Sequence, residues 1–150
     1  GIIAAPAQGL LWRGVPGHRA ERLRMRWADG KVEERATIRT RPAPPRLTVA
    51  VSRSHMDKET EAFLTRFSPV EHYPCGSSVK FCHIAEGKAD LYPRLSPTSE
   101  WDIAAGCAIL AAAGGVVTDP HGGALMFGAG GRFLVPGFIA WGDPERAARG

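Results

Sequence analysis

Three clusters of residues have types and spacings suited to chemistry: Gly76-Ser77-Ser78-Val79-Lys80, Tyr92-Pro93-Arg94 and Trp101-Asp102. Between Trp101 and Val117 the one charged side chain is Asp102, in a run of Ala, Ile, Leu, Cys and Gly. Such a run predicts a helix buried on most sides, because it has no polar stripe to turn toward water. A carboxylate in the first turn of that helix needs a proton, a cation or backbone N–H groups to justify its charge. It is either an N-terminal cap, the commoner use of such an Asp, or a ligand for a hard metal ion beside a substrate.

The elements that must position these clusters follow from periodicity. Residues 1–7 and 10–13 read as strands around a Gln8-Gly9 turn. Leu23, Met25 and Trp27 alternate with Arg22, Arg24 and Arg26, which predicts a strand with apolar groups on one face and guanidinium groups on the other. Asp29-Gly30 turns the chain, and Val32, Ala36 and Ile38 are expected to continue the apolar face of an antiparallel sheet wet on its other side. No aromatic residue lies among the arginines for base stacking, so the row reads as a solvated face and not a nucleic-acid strip.

Thr40-Arg41-Pro42-Ala43-Pro44-Pro45-Arg46 is a stiff connector. It divides the chain into 1–41, the end of an antiparallel-sheet unit, a link at 42–46, and an α/β unit over 47–150. In the latter, strands at 47–51, 70–73, 89–92, 116–118 and 138–141 interleave with helices. Asp57 caps the helix through Phe63 and Leu64, Ser77 or Ser78 caps one from Val79 to Glu86, and Trp101 anchors the start of the long one as a core residue. The fold class is α/β, a partial antiparallel sheet followed by a mixed or parallel sheet flanked by helices. Ligand sites in such sheets form outside the carboxyl ends of the strands. Ser52-Arg53-Ser54-His55, Gly76-Ser77-Ser78, Pro93-Arg94 and Asp102 are all placed there. Lys80, Arg94 and Arg53 as cations, with N–H groups at the start of the helix after Ser78, suit a phosphate-bearing ligand.

Composition narrows the class. The 150 residues carry a formal charge of +4, which favours anionic partners without naming one. Cys75, Cys82 and Cys107 have no CxxC spacing and read as reduced core thiols of a cytoplasmic protein. No apolar run has the length of a membrane span. Glu86, Asp90 and Glu100 read as solvated, Glu100 lying close enough in sequence to support Asp102.

GSSVKF (76–81), AEGKADLYPR (85–94) and WDIAAG (101–106), in this order, resemble the carboxyl-terminal half of CysQ-type 3'(2'),5'-bisphosphate nucleotidases, in the inositol monophosphatase superfamily. GIIAAPAQG, LTVAVSRSH, AAAGGVVTDPHGG and FLVPGF extend the likeness over essentially the whole chain. The resemblance implies a Mg2+-dependent phosphatase that converts 3'-phosphoadenosine 5'-phosphate to AMP and phosphate. It makes Asp102 the metal-binding, catalytic aspartate near the scissile ester, and puts Ser78, Lys80, Arg94 and Asp102 around the nucleotide, with His55 lining its pocket. It also implies that the family's other metal ligands, in a Glu-Glu segment and a DP-x-D-G-T motif, precede the residues corresponding to Gly1. Neither is in this sequence, so the chain is expected to be an inactive fragment. An inositol-phosphate phosphatase and a non-catalytic nucleotide-binding module remain as alternatives.

Overall fold

In the computed structural model, residues 1–52, 56–128, 131 and 133–149 are described. The chain opens with four antiparallel strands in sequential order: β1 (Ile2–Ala5), β2 (Leu10–Gly14), β3 (Ala20–Arg26) and β4 (Lys31–Ile38). A five-stranded sheet follows, in the order β6 (Glu71–Pro74), β5 (Thr48–Val51), β7 (Leu91–Arg94), β11 (Phe138–Trp141) and β9 (Val116–Thr118). β5 runs parallel to β6 and β7, whereas β11 is antiparallel to β7 and β9. β8 (Thr98–Ser99) and β10 (Leu134–Val135) form a two-stranded ribbon that the sequence pattern did not reveal.

The layers follow from what each face buries. α2 (Val79–Ala85) and α3 (Glu100–Ala113) lie between the two large sheets, and one apolar cluster joins Ile3, Trp12, Ala20 and Ile38 to Phe81, Ile109, Leu110 and Phe138. A second cluster on the outer side of the mixed sheet joins Leu47, Val49, Leu91 and Trp141 to Leu64 of α1 (Lys58–Leu64) and Ala147 of α4 (Pro144–Ala147). No described helix is long and apolar enough to cross a membrane.

Gly106 explains how α2 and α3 sit so close. A Cβ built there would fall 2.4 Å from Cδ2 of Phe81. Phe81 itself stacks on Phe138 at 5.3 Å between ring centroids and meets the Tyr92 ring edge-on. α3 also approaches the first sheet closely: a Cβ on Gly14 would lie 2.9 Å from Cβ of Ala112. α3 is less enclosed than its composition predicts. Ile103, Gly106, Ile109, Leu110 and Ala113 are buried, but Ala104 and Ala111 reach solvent, where alanine exposes little apolar surface.

The first sheet corrects the expected facing. Trp12, Arg22 and Ala36 are register partners, as are Gly14, Ala20 and Ile38, so the arginine row shares its face with the core and runs past the end of the helix layer. There Arg22 and Arg24 pair with Glu34, and Arg26 with Asp29. Leu23 and Met25 are on the opposite face. The register shifts between Arg24, opposite Glu34, and Met25, opposite Val32, so Glu33 is an extra residue and Val32 parts company with Ala36 and Ile38. Trp27 lies beyond the strand and is exposed.

Two acids expected in solvent are structural. Asp90 is buried and accepts from Arg41 Nε at 2.7 Å, Arg41 Nη2 at 3.0 Å and the Thr48 N–H at 2.8 Å, tying the connector to the mixed sheet. Glu86 accepts from the indole N–H of Trp12 and pairs with Lys88.

Candidate functional site

The sequence folds locally so that three segments end at one place. β7 carries Tyr92 and Arg94 to its carboxyl end. The turn Gly76-Ser77-Ser78 leads from β6 into α2, which carries Lys80 in its first turn. β8 leads directly into the first turn of α3 and Asp102. Ser52, Ser77, Ser78, Lys80, Tyr92, Arg94, Thr98, Trp101 and Asp102, with Phe81 and Ile103, line a single cavity of about 410 Å³. Ser78, Lys80, Arg94 and Asp102 are thus brought together. His55, with Arg53 and Ser54, lies outside the described residues.

Each side chain has a definite environment. Lys80 is 3% exposed, and its ammonium sits 4.8 Å from the centroid of the Tyr92 ring. It has no carboxylate partner among the described residues. Burial lowers its pKa, Cys75 opposing that shift and the Arg94 charge reinforcing it. Burial likewise raises the pKa of the Tyr92 phenol. Arg94 donates from Nη2 to the Pro97 carbonyl at 3.1 Å, while its buried Nε has no hydrogen-bond partner among the described residues. A buried guanidinium N–H left without an acceptor costs about 1–3 kcal/mol.

Asp102 is exposed and accepts from the Thr98 hydroxyl at 3.3 Å. It does not cap its helix: Ser99 holds that position, with no side-chain hydrogen bond. Glu100 does not support Asp102 either, because both its oxygens accept from the Gly128 N–H at 2.9 Å. Trp101, expected in the core, is 70% exposed, with its ring 6.1 Å from that of Phe133. The buried side of α3 begins at Ile103 instead, which turns Trp101 outward at the cavity edge.

Ser78 occupies the capping position of α2, but its hydroxyl makes no capping bond. The Lys80 N–H goes to the Ser77 carbonyl at 3.4 Å and the Phe81 N–H to Ser78 at 3.1 Å, so these donors are used within the turn and not offered to a ligand. Ser77 has φ +56°, a left-handed backbone that costs a non-glycine residue about 1 kcal/mol or more and marks the turn as held by its surroundings.

A second cavity, about 300 Å³, shares Ser52, Tyr92 and Arg94 with the first and continues over Pro93, Met56 and Thr60. Asp57 caps α1 as expected, accepting from the Thr60 N–H and hydroxyl, both at 2.8 Å. Against the cost of burial these donors hold its pKa down. Thr60 in turn accepts from the Leu95 N–H at 3.0 Å, which fixes the chain just beyond Arg94. Thr98 and the Thr60 clamp were missed by sequence reasoning, whereas Ser52 lines the cavity from the strand end where it was expected. Thr98 precedes Asp102 by a helical spacing, yet it belongs to a short strand whose existence only the ribbon with β10 establishes.

No three His, Cys, Asp or Glu side chains converge among the described residues. A Mg2+ ion takes about six oxygen ligands in near-octahedral geometry. Asp102 and the neighbouring Thr98 hydroxyl supply too few, so the described residues do not by themselves fit a Mg2+ centre.

The chain resembles known proteins in both sequence and fold. The sequence is 39% identical over 138 residues to the 3'(2'),5'-bisphosphate nucleotidase CysQ of Escherichia coli K12, covering 92% of this chain and 52% of that protein. The Salmonella typhimurium protein of the same name is 40% identical over 138 residues, again 92% of this chain and 52% of its own length. The chain therefore spans about half the length of these curated relatives. The crystal structure of CysQ from Bacteroides thetaiotaomicron superimposes with a TM-score of 0.81 at 34% identity, over 94% of this chain and 56% of that one. An inositol monophosphatase from Zymomonas mobilis gives 0.72 at 25% identity, over 99% and 55%. Residues 1–146 match the model of one family throughout, and on that match this chain belongs to the inositol monophosphatase family.

Proposed function

We propose that this chain forms the nucleotide-holding part of a Mg2+-dependent phosphatase that hydrolyses 3'-phosphoadenosine 5'-phosphate to AMP and phosphate in the cytoplasm. The observation that carries this reading is the meeting of Lys80, Arg94 and Asp102 around one polar cavity. Two cations select a substrate with a phosphate to spare beyond the one that is cleaved. Arg94 lines the cavity with its guanidinium, and Lys80 adds a desolvated charge over Tyr92. The Ser78 hydroxyl, unused by its helix, is available to the same ligand. A carboxylate beside a phosphate dianion is repulsive unless a cation stands between them. Asp102 therefore belongs to a metal set completed by ligands outside the described residues. The relatives named as bisphosphate nucleotidases support the substrate class, and His55 is assigned to the nucleotide pocket on the same resemblance.

The test is calorimetric titration with adenosine 3',5'-bisphosphate and AMP. Lys80→Ala and Arg94→Ala should each weaken bisphosphate binding by about tenfold or more, on the scale of a charge-assisted hydrogen bond, and AMP binding far less. Equal losses for both ligands would overturn the assignment. The sparse ligand set favours a second reading, in which this chain binds the nucleotide without hydrolysing it. Phosphate release by residues 1–150 at high Mg2+ would decide against that.

A further inference from the structure

We propose that Lys80 is a site of covalent imine formation with phosphorylated aldehydes, the amine supplying the nucleophile and Arg94 the anchor for the phosphate. This goes beyond phosphatase chemistry and rests on the cavity itself. The ammonium is enclosed, with the whole residue 3% exposed, yet it borders a cavity of about 410 Å³ large enough for a small aromatic aldehyde. Its neighbours do not hold it in the charged form strongly. The described residues offer it no carboxylate within salt-bridge distance; the face of Tyr92 lies 4.8 Å away, and Cys75 is a second neighbour that favours the charged form. Burial, against the opposing influence of Cys75, and the nearby Arg94 charge favour the free amine, which is the reactive form. Arg94 shares the cavity, and its guanidinium is of a type that pairs with a phosphate.

The step balances without an outside oxidant. The Lys80 nitrogen lone pair adds to the aldehyde carbon, and a C=N bond replaces C=O. The carbonyl oxygen leaves as water, carrying both protons of the amine. Added borohydride then delivers hydride to the imine carbon, and water protonates the nitrogen, fixing the product as a secondary amine. The other lysines, Lys31, Lys58 and Lys88, are exposed and border no such cavity. They provide the internal comparison.

The experiment treats the chain of residues 1–150 with pyridoxal 5'-phosphate at neutral pH, reduces it with borohydride and maps pyridoxyl groups by peptide mass spectrometry. Lys80 should label at least tenfold faster than Lys31, Lys58 or Lys88. Pyridoxal without its phosphate, and the Arg94→Ala chain, should each lose that preference. Lys80→Arg, which keeps the charge and removes the amine, should abolish the label while the circular dichroism stays native. Uniform labelling of all four lysines, or a Lys80 that stays unmodified in folded protein, would overturn the inference. Adenosine 3',5'-bisphosphate separates this outcome from the nucleotide reading. If Lys80 labels but the bisphosphate neither binds nor protects, the imine chemistry stands and the nucleotidase reading falls. If the bisphosphate binds and Lys80 does not label, the reverse holds.

Discussion

The hydroxyl of Thr98 donates to the Asp102 carboxylate across 3.3 Å, from the end of β8 to the first turn of α3. Thr98 is itself buried. It holds one oxygen of an otherwise exposed carboxylate in a fixed direction toward the cavity. In the proposed phosphatase, Asp102→Asn should lower kcat by roughly two orders of magnitude, the scale on which removing a single charge-stabilising group acts. The thermal midpoint should stay near wild type, because the side chain is exposed. Thr98→Val should reduce activity less, and Thr98→Ser should restore it. Near-normal turnover in Asp102→Asn would remove the residue from the reacting centre.

Gly106 tests the packing that sets the site's width. Gly106→Ala places a methyl against the Phe81 ring at 2.4 Å, and Phe81 is pinned between Tyr92 and Phe138. Overpacking of this kind costs about 1–3 kcal/mol. Chemical denaturation should show that loss, and ligand binding at Lys80 and Arg94 should weaken with it, since α2 and α3 cannot separate without widening the cavity. An unchanged denaturation midpoint would mean that the helices shift freely.

Asp90 is the buried half of an ion pair whose other half, Arg41, is partly exposed. Asp90→Ala leaves the Thr48 N–H without its acceptor and frees the connector, while Arg41 can turn to solvent. The expected destabilisation is about 2 kcal/mol, dominated by the stranded backbone donor. Urea unfolding of Asp90→Ala and Arg41→Ala separates the parts: the arginine variant should cost clearly less. Equal costs would place the energy in the charge pair.

His83 gives the chain an acid-sensitive contact. Its ring meets Trp12 and Tyr73 edge-on, its Nδ1 is buried without a partner among the described residues, and burial lowers its pKa from 6.5, with Lys88 lowering it further against the opposing Glu86. Below pH 6.5 the unfolded chain binds the proton more readily than the folded one, so stability rises with pH in that window. The contribution is complete above the unfolded value and is lost as pH falls from there through the folded one. The slope is at most about 1.4 kcal/mol per pH unit. His83→Gln should flatten this limb of the stability curve between pH 5 and the unfolded value, as read by urea midpoints. An unaltered curve would assign the acid sensitivity to carboxylates.

None of the three cysteines is in a disulfide, and Cys82 and Cys107 are shielded by their surroundings. Burial pushes the Cys107 thiol up to about 12 and raises Cys82 further. Iodoacetamide at pH 8 should therefore leave both unmodified in the folded chain and alkylate them after denaturation. Labelling at native rates equal to those in denaturant would contradict the burial of α2 and α3.

By itself the sequence determined the local elements and the chemical identity of the site. The Asp57 cap, the α2 and α3 helices and the alternation of strands with helices depend on near neighbours, and near neighbours are what periodicity records. The meeting of Ser78, Lys80, Arg94 and Asp102 was legible because each follows a strand or opens a helix, positions that an α/β sheet gathers at one edge. The tertiary structure decided everything that depends on which surface is covered. Trp101 faces outward because the buried arc of α3 begins at Ile103, and Asp102 takes Thr98 as its partner because the β8–β10 ribbon exists. Asp90 and Glu86 are buried because Arg41 and Trp12, remote in sequence, reach them. One extra residue at Glu33 put Val32 on the face opposite Ala36 and Ile38, since a strand's side chains alternate and a single insertion exchanges the residues beyond it. Composition gives each segment its propensity. Which side of it meets water is fixed by residues far along the chain.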